Sequence, residues 1–208
     1  MLSQEFLVNV NDYLIPYSGD YCKTLKNEAF YTQILAHMAK HIVHGGSGVR
    51  SFLDIWLINK NWQFDRQNLD KMLLQNNLLG LDKAISHLTK VWFENETHTE
   101  LTSNLEEYVL NGGIYGNIEN QVAVSKAKTG GKSSGLLSKI FLPYSQLKFT
   151  YPVLQKHKWL TPLFEVFRWF RIIFKGRSKI LAKQLKANKT VTEEKADKTA
   201  NLLKQLGL

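Results

Sequence analysis

The sequence has few of the features that place a chain outside the cell or within a membrane. Its single cysteine, Cys22, excludes an internal disulfide framework. The first residues, Met-Leu-Ser-Gln-Glu-Phe, contain neither the basic nor the apolar region of a secretory signal. No uninterrupted apolar run reaches the ~20 residues that a membrane-spanning helix needs. These absences predict a cytoplasmic protein.

Acidic residues are scarce in one part of the chain. Residues 121–189 contain fifteen Lys or Arg and a single acid, Glu165, and the rest of the chain is net acidic. A basic segment attracts phosphate on a nucleotide, an anionic lipid or a nucleic acid, and charge alone does not choose among them. A solvated basic surface is the alternative. Nucleic acid is the partner that we favour least.

The apolar residues are spaced mainly as in helices. With 44% apolar residues in 208, the chain can bury a core. Helical spacing begins at Asn27, near Ser47, at Asp65, at Leu81 and near Thr99, with glycines closing several of these segments. Residues 3–21 instead predict one or two short strands and a turn. We therefore expect a mainly α fold, a multi-helix bundle with a short N-terminal β remnant and a basic C-terminal helical extension.

Changes in composition divide the chain into four parts. We place a strand and turn lead-in at residues 1–26 and a helical bundle at 27–112. A basic linker and an amphipathic aromatic helix follow at 113–189, and a last helix at 190–208, where Thr190 and Glu193 match a capping box. The aromatic helix, within Trp159–Lys175, has a narrow polar stripe. We expect this helix to be buried on most sides, and the alternative is that it lies in a membrane interface.

One stretch, from His37 to Trp56, concentrates ionisable side chains around a glycine-rich break. His37, His41 and His44 follow at i, i+4 and i+7 and share a helix flank with Lys40, whereas Arg50 and Asp54 lie four apart on the next helix.

This stretch has three interpretations. A metal site is poorly supported, because no cysteine and no carboxylate besides Asp54 completes a ligand set. The histidines could instead form a polar joint between helices. In the third, Lys40, Arg50, the histidines and free N–H groups of the Gly45–Gly48 turn hold a phosphate, and Asp54 orients Arg50 or a histidine.

The same residues carry a family resemblance. Ala36-His-Met-Ala-Lys-His41, His44-Gly-Gly-Ser-Gly-Val-Arg50 and Leu53-Asp-Ile-Trp-Leu57 resemble the helical C-terminal part of an uncharacterised bacterial nucleotidyltransferase family of the polymerase-β-like superfamily. The segments 113–120, 142–144 and 151–159 resemble it as well. The similarity covers residues 12–208.

The resemblance implies a transferase that uses magnesium and a nucleoside triphosphate, held by Gly-Ser and Asp-x-Asp residues of an upstream module. This chain lacks that pair of carboxylates, since Trp56 stands two residues after Asp54. We therefore expect no catalytic and no metal-binding residues here. The expected role is nucleotide binding through phosphate contacts of His37, Lys40, His41 and Arg50.

Either the chain is a fragment or a split gene product, or it acts with a partner that supplies the missing module, in cis or in trans. We expect it to be inactive alone. The alternative function is a non-enzymatic helical module that binds a membrane surface, through Trp159–Lys175, or a protein partner.

Overall fold

A computed structural model describes most of the chain. The described residues are 2, 4–19, 21–113, 116–129, 142, 144–174, 183, 186–187 and 189–208. Ten α-helices and one two-stranded sheet lie within them, so the protein is mainly α, as the sequence predicts.

The helices follow one another with short connections. Their bounds are α1 Gln4–Val8, α2 Asn27–Val43, α3 Val49–Asn61, α4 Arg66–Gln75, α5 Leu79–Glu94, α6 Glu100–Gly112, α7 Ile118–Thr129, α8 Tyr144–Thr150, α9 Thr161–Phe174 and α10 Glu193–Leu206. Short 3-10 turns lie at Val10–Tyr13, Pro152–Gln155 and Lys158–Leu160. The strands β1 Leu14–Ser18 and β2 Cys22–Leu25 form an antiparallel hairpin with Leu14 opposite Leu25.

Side-chain caps fix several helix starts where the sequence predicts them. The Asp65 carboxylate accepts a hydrogen bond from the Asn68 N–H at 3.2 Å, which begins α4. Thr99 and Thr102 form a reciprocal capping box at the start of α6. At the C-terminal helix the cap is Thr192 rather than the predicted Thr190, because the Thr192 hydroxyl accepts from the Lys195 N–H.

Within the described residues, the largest hydrophobic core joins the bundle helices. α2 contributes Tyr31, Leu35 and Ile42, all fully buried, and α3 contributes Phe52 and Ile55. The same cluster contains three leucines of the C-terminal helix, Leu202, Leu203 and Leu206. The last helix therefore packs into the core that the helices of residues 27–112 build.

The N-terminal segment differs from the sequence expectation. Phe6, Leu7 and Val8, which we expected in a strand, lie in α1. Phe6 is buried in a small cluster with Ala29 and Met72, and its ring stacks on Tyr13 at 5.0 Å. A short apolar run does not distinguish helix from strand by periodicity, and here its packing against α2 and α4 decides the outcome.

Candidate functional site

The predicted site residues lie at the junction of α2 and α3, beside an open groove. The groove has a volume of about 1010 Å³, and its walls are the facing flanks of the two helices, completed by Leu2 and Leu7. His37 and Lys40 line it from α2, and Asp54 lines it from α3. Its remaining walls are largely apolar, and they include Phe30, Ile34, Met38, Leu57 and Ile58. The groove thus combines an apolar floor with three ionisable groups.

His37 and His41 form a contact pair on α2. Their Nε2 atoms are 2.9 Å apart and their rings meet edge to face. A hydrogen bond between two imidazoles needs one neutral ring as acceptor. Burial lowers the pKa of His41, and the neighbouring positive charges of His37, Lys40 and His44 lower it further, so His41 is the natural acceptor. His41 supports His37 from outside the groove.

His44 has a structural role at the end of α2. Its Nδ1 lies 2.6 Å from the Lys40 carbonyl oxygen. A carbonyl oxygen can only accept, so Nδ1 carries the hydrogen in this contact. The third histidine of the sequence pattern therefore caps its own helix instead of joining the other two.

Arg50 and Asp54 are both exposed on α3, but they are not brought together. Within the described residues, neither side chain forms an ion pair, and Arg50 does not line the groove. The proposed orienting role of Asp54 stays a prediction. Of the predicted set, the groove itself unites His37, Lys40 and Asp54.

The glycine-rich turn is a packing joint. The Gly45 N–H donates to the Ile42 carbonyl at 3.0 Å, and the Gly46 N–H donates to the His41 carbonyl at 3.1 Å, so both cap α2. The turn is buried against the α6–α7 connection, where a Cβ on Gly116 would lie 2.8 Å from the Gly45 carbonyl carbon. The expectation that these two N–H groups are free to hold a phosphate is wrong, because α2 already uses them.

The structure also brings together a polar cluster that sequence reasoning missed. The Tyr31 hydroxyl donates to Asp82 Oδ1 at 2.5 Å, and Asn59 Nδ2 donates to the Tyr31 and Ser86 hydroxyl oxygens. Burial raises the pKa of Asp82, and burial next to that carboxylate raises the pKa of Tyr31. The signal in the sequence was weak: Asp82 and Ser86 are four apart beside the apolar stripe of α5.

The polar cluster borders a second cavity of about 550 Å³ between α3 and α5, lined also by Trp56, Lys60 and Lys90. The hydrogen bonds within the cluster join α2, α3 and α5, so its first role is to hold these helices in register.

Metal-ligating side chains do not cluster in the described part of the chain. No group of three or more His, Cys, Asp or Glu residues there is arranged to hold a metal ion. Among the described helices, none is both long enough and apolar enough to cross a bilayer.

Parts of two predictions lie outside the described residues. The predicted basic linker contains a glycine- and lysine-rich connector, and residues 130–141 of this connector lie outside the described residues. At the end of the aromatic helix, Lys175 lies outside them too, and the side chain of Arg171 is not described.

Comparison with known proteins returns no relative. No protein-family model, curated protein or solved structure matches this chain. The site is therefore interpreted from its own geometry and chemistry.

Proposed function

We propose that this chain binds a phosphate-bearing ligand with an apolar portion, a nucleoside triphosphate, in the groove between α2 and α3. In this proposal the chain is the helical substrate-binding part of a cytoplasmic nucleotidyltransferase. The observation that carries it is the composition of the groove, in which His37 and Lys40 stand beside an apolar floor. Its volume is at the upper end of the ~300–1,000 Å³ typical of small-molecule sites.

Each end of a nucleotide has a matching surface in the groove. The Lys40 ammonium offers N–H donors to phosphate oxygens, and hydrogen bonds to an ionised group are about twice as strong as neutral ones. Since the Nε2 of His37 contacts His41, His37 donates to a phosphate through Nδ1, in the imidazolium form that carries both N–H groups. Phe30 and Leu57, both partly exposed, offer apolar area to a base. Arg50, exposed in the first turn of α3, is close enough in sequence to extend the cationic edge but does not line the groove.

Asp54 adds selectivity to this proposal. A carboxylate on the α3 wall repels a second phosphate group placed against it and accepts hydrogen bonds from a ribose hydroxyl or a base amino group. The two walls thus present opposite charges, with Lys40 on α2 and Asp54 on α3. A ligand that carries both an anionic end and a neutral donor end fits this polarity.

Magnesium and the transfer step belong to the complete family member in this proposal. The groove offers one carboxylate among the described residues, Asp54, whereas the family signature supplies a pair for the metal-bound triphosphate. The described residues that line the groove do not by themselves fit a catalytic magnesium ion, so we derive no transfer step through one. A catalytic module acting in cis or in trans completes the proposal.

Isothermal titration of the full chain with ATP, GTP, CTP and UTP tests the proposal. Lys40→Ala and His37→Ala should each weaken binding by about tenfold or more, the usual effect of losing a hydrogen bond to a charged group. Lys71→Ala is the matched control, since Lys71 is an exposed lysine on α4 that does not line the groove.

Two fragments of the ligand separate the contribution of the phosphate contacts to affinity from that of the apolar contacts. Inorganic triphosphate should lose affinity in Lys40→Ala, and adenosine should lose affinity in Leu57→Ser. The proposal fails if no nucleotide binds, or if Lys40→Ala and Lys71→Ala bind all four nucleotides as the wild type does.

A further inference from the structure

Helix α9 presents its apolar side to solvent. Leu163, Val166, Phe167 and Phe170 follow at i, i+3, i+4 and i+7, so they form one stripe. Each of these side chains is 53–64% exposed, and Trp159, just before the helix, is 76% exposed. A helix of a globular protein normally turns such a stripe towards the core. The expectation that this helix is buried on most sides is wrong for these side chains.

The orientation of α9 is held by its polar side. Glu165 is 9% exposed, and its carboxylate accepts hydrogen bonds from the Leu142 N–H at 2.8 Å and from the Arg168 guanidinium at 2.7 and 2.9 Å. The Arg168 and Glu165 side chains are only 12% and 11% exposed. An ion pair this well satisfied is costly to break, because either partner alone would be a buried charge. The apolar stripe is therefore kept outwards by the inward carboxylate.

The segment of sequence that contains this stripe, residues 121–189, is strongly basic. Glu165 is the single acid of residues 121–189, and its charge is neutralised by Arg168. The acid-free remainder of this segment carries fourteen further Lys or Arg residues. Lys148, at the end of α8, is among them, and so are Lys156 and Lys158 in the turns that lead into α9. An exposed apolar stripe within a net basic segment complements an anionic lipid surface.

We propose that α9 docks this protein onto an anionic membrane surface, lying in the plane of the interface with its apolar stripe among the acyl chains. Trp159 lies at the level of the headgroups, where its ring contacts the acyl chains and its indole N–H donates to water or to a headgroup. The lysines contact lipid phosphates. This inference goes beyond the nucleotide groove and does not depend on it.

Flotation of the full chain with vesicles tests the docking surface. The wild type should float with vesicles made of equal parts phosphatidylcholine and phosphatidylglycerol, and it should stay at the bottom with phosphatidylcholine alone. Salt near 1 M, where the Debye length is about 3 Å, should release most of the bound protein.

Matched substitutions distinguish vesicle binding by the α9 stripe from binding by any exposed apolar side chain. Leu163→Ser/Phe167→Ser should lower the partition coefficient roughly tenfold or more, because both side chains lose apolar contact with the lipid. Leu74→Ser/Leu110→Ser is the control, since these bundle leucines are 65% and 59% exposed and lie far along the chain from α9. Lys156→Gln/Lys158→Gln should reduce binding about fivefold for each charge removed. Arg168 is left intact, because it holds Glu165.

Circular dichroism of each variant reports whether the helices remain folded. The proposal is overturned if the wild type does not bind anionic vesicles, or if Leu163→Ser/Phe167→Ser and the control Leu74→Ser/Leu110→Ser bind them equally. It is also overturned if the stripe instead supports a concentration-dependent dimer, seen by light scattering and lost in Leu163→Ser/Phe167→Ser, without vesicle binding.

Discussion

Substitution of Gly116 by alanine probes the joint that sets the α2–α3 junction. Gly116 has a φ of +75°, and a Cβ at this position would lie 2.8 Å from the Gly45 carbonyl carbon and 3.0 Å from the Gly46 nitrogen. These atoms are backbone, so they cannot rotate away. The substitution therefore combines a left-handed backbone conformation, which costs an L-residue about 1–2 kcal/mol, with overpacking, which costs about 1–3 kcal/mol.

The expected loss is about 2–5 kcal/mol, a large part of the ~5–15 kcal/mol that stabilises a typical domain. Gly19→Ala is the matched control, because Gly19 also has a positive φ, +63°, but a Cβ there meets nothing within 4 Å. The difference between the two variants isolates the packing of the turn. Urea unfolding followed by circular dichroism should show a midpoint lower by about 1 M for Gly116→Ala than for Gly19→Ala, given typical urea slopes. Equal midpoints would refute the packed joint.

Two further predictions concern stability. Burial raises the pKa of Asp82, so the folded protein holds the Asp82 proton more tightly than the unfolded chain does. Asp82 therefore contributes most to the stability of the fold below its pKa in the unfolded chain, which is about 4. This contribution is lost as the pH rises through the pKa of Asp82 in the folded protein. The stability of the wild type relative to Asp82→Asn should therefore fall between pH 4 and neutral pH in urea titrations, and a constant difference would contradict the assignment. Thr192→Ala should destabilise the protein by about 1 kcal/mol through loss of the α10 cap. A larger loss in Thr190→Ala, measured in the same way, would mean that the capping residue is Thr190.

Much of the fold was predictable from local signals. Asp65 and Thr99 precede apolar residues at helical spacing, and their caps require contacts three residues away, which the sequence displays directly. The N-terminal segment was not predictable in this way. Phe6 lies in a helix because Ala29 and Met72, distant in sequence, cover it.

The candidate site was predictable in part. His37 and Lys40 are one turn apart, so their shared flank follows from helix geometry, and the structure places both on the groove wall. The use of the Gly45 and Gly46 N–H groups could not be foreseen, since it depends on how α2 ends. The Tyr31–Asp82 hydrogen bond spans 51 residues, and no local pattern announces such a pairing.

The sequence also does not predict which side of α9 faces solvent. Both of its sides carry aromatic residues, so amphipathicity alone does not say which side is inward. The contact between Glu165 and the Leu142 N–H, 23 residues apart, decides the orientation. We expected burial on most sides of α9, but the buried residue is Glu165 of its polar stripe, and the apolar stripe is exposed.

The proposed ligand of the α2–α3 groove is a phosphate-bearing molecule. Titration of isotopically labelled full-length chain with ATP, followed by amide and side-chain NMR shifts, locates the ligand directly. The largest shift changes should fall on His37, Lys40, Asp54 and Leu57, with the α9 residues unaffected. Shift changes confined to other surfaces, or none at all with any of the four nucleoside triphosphates, would contradict it.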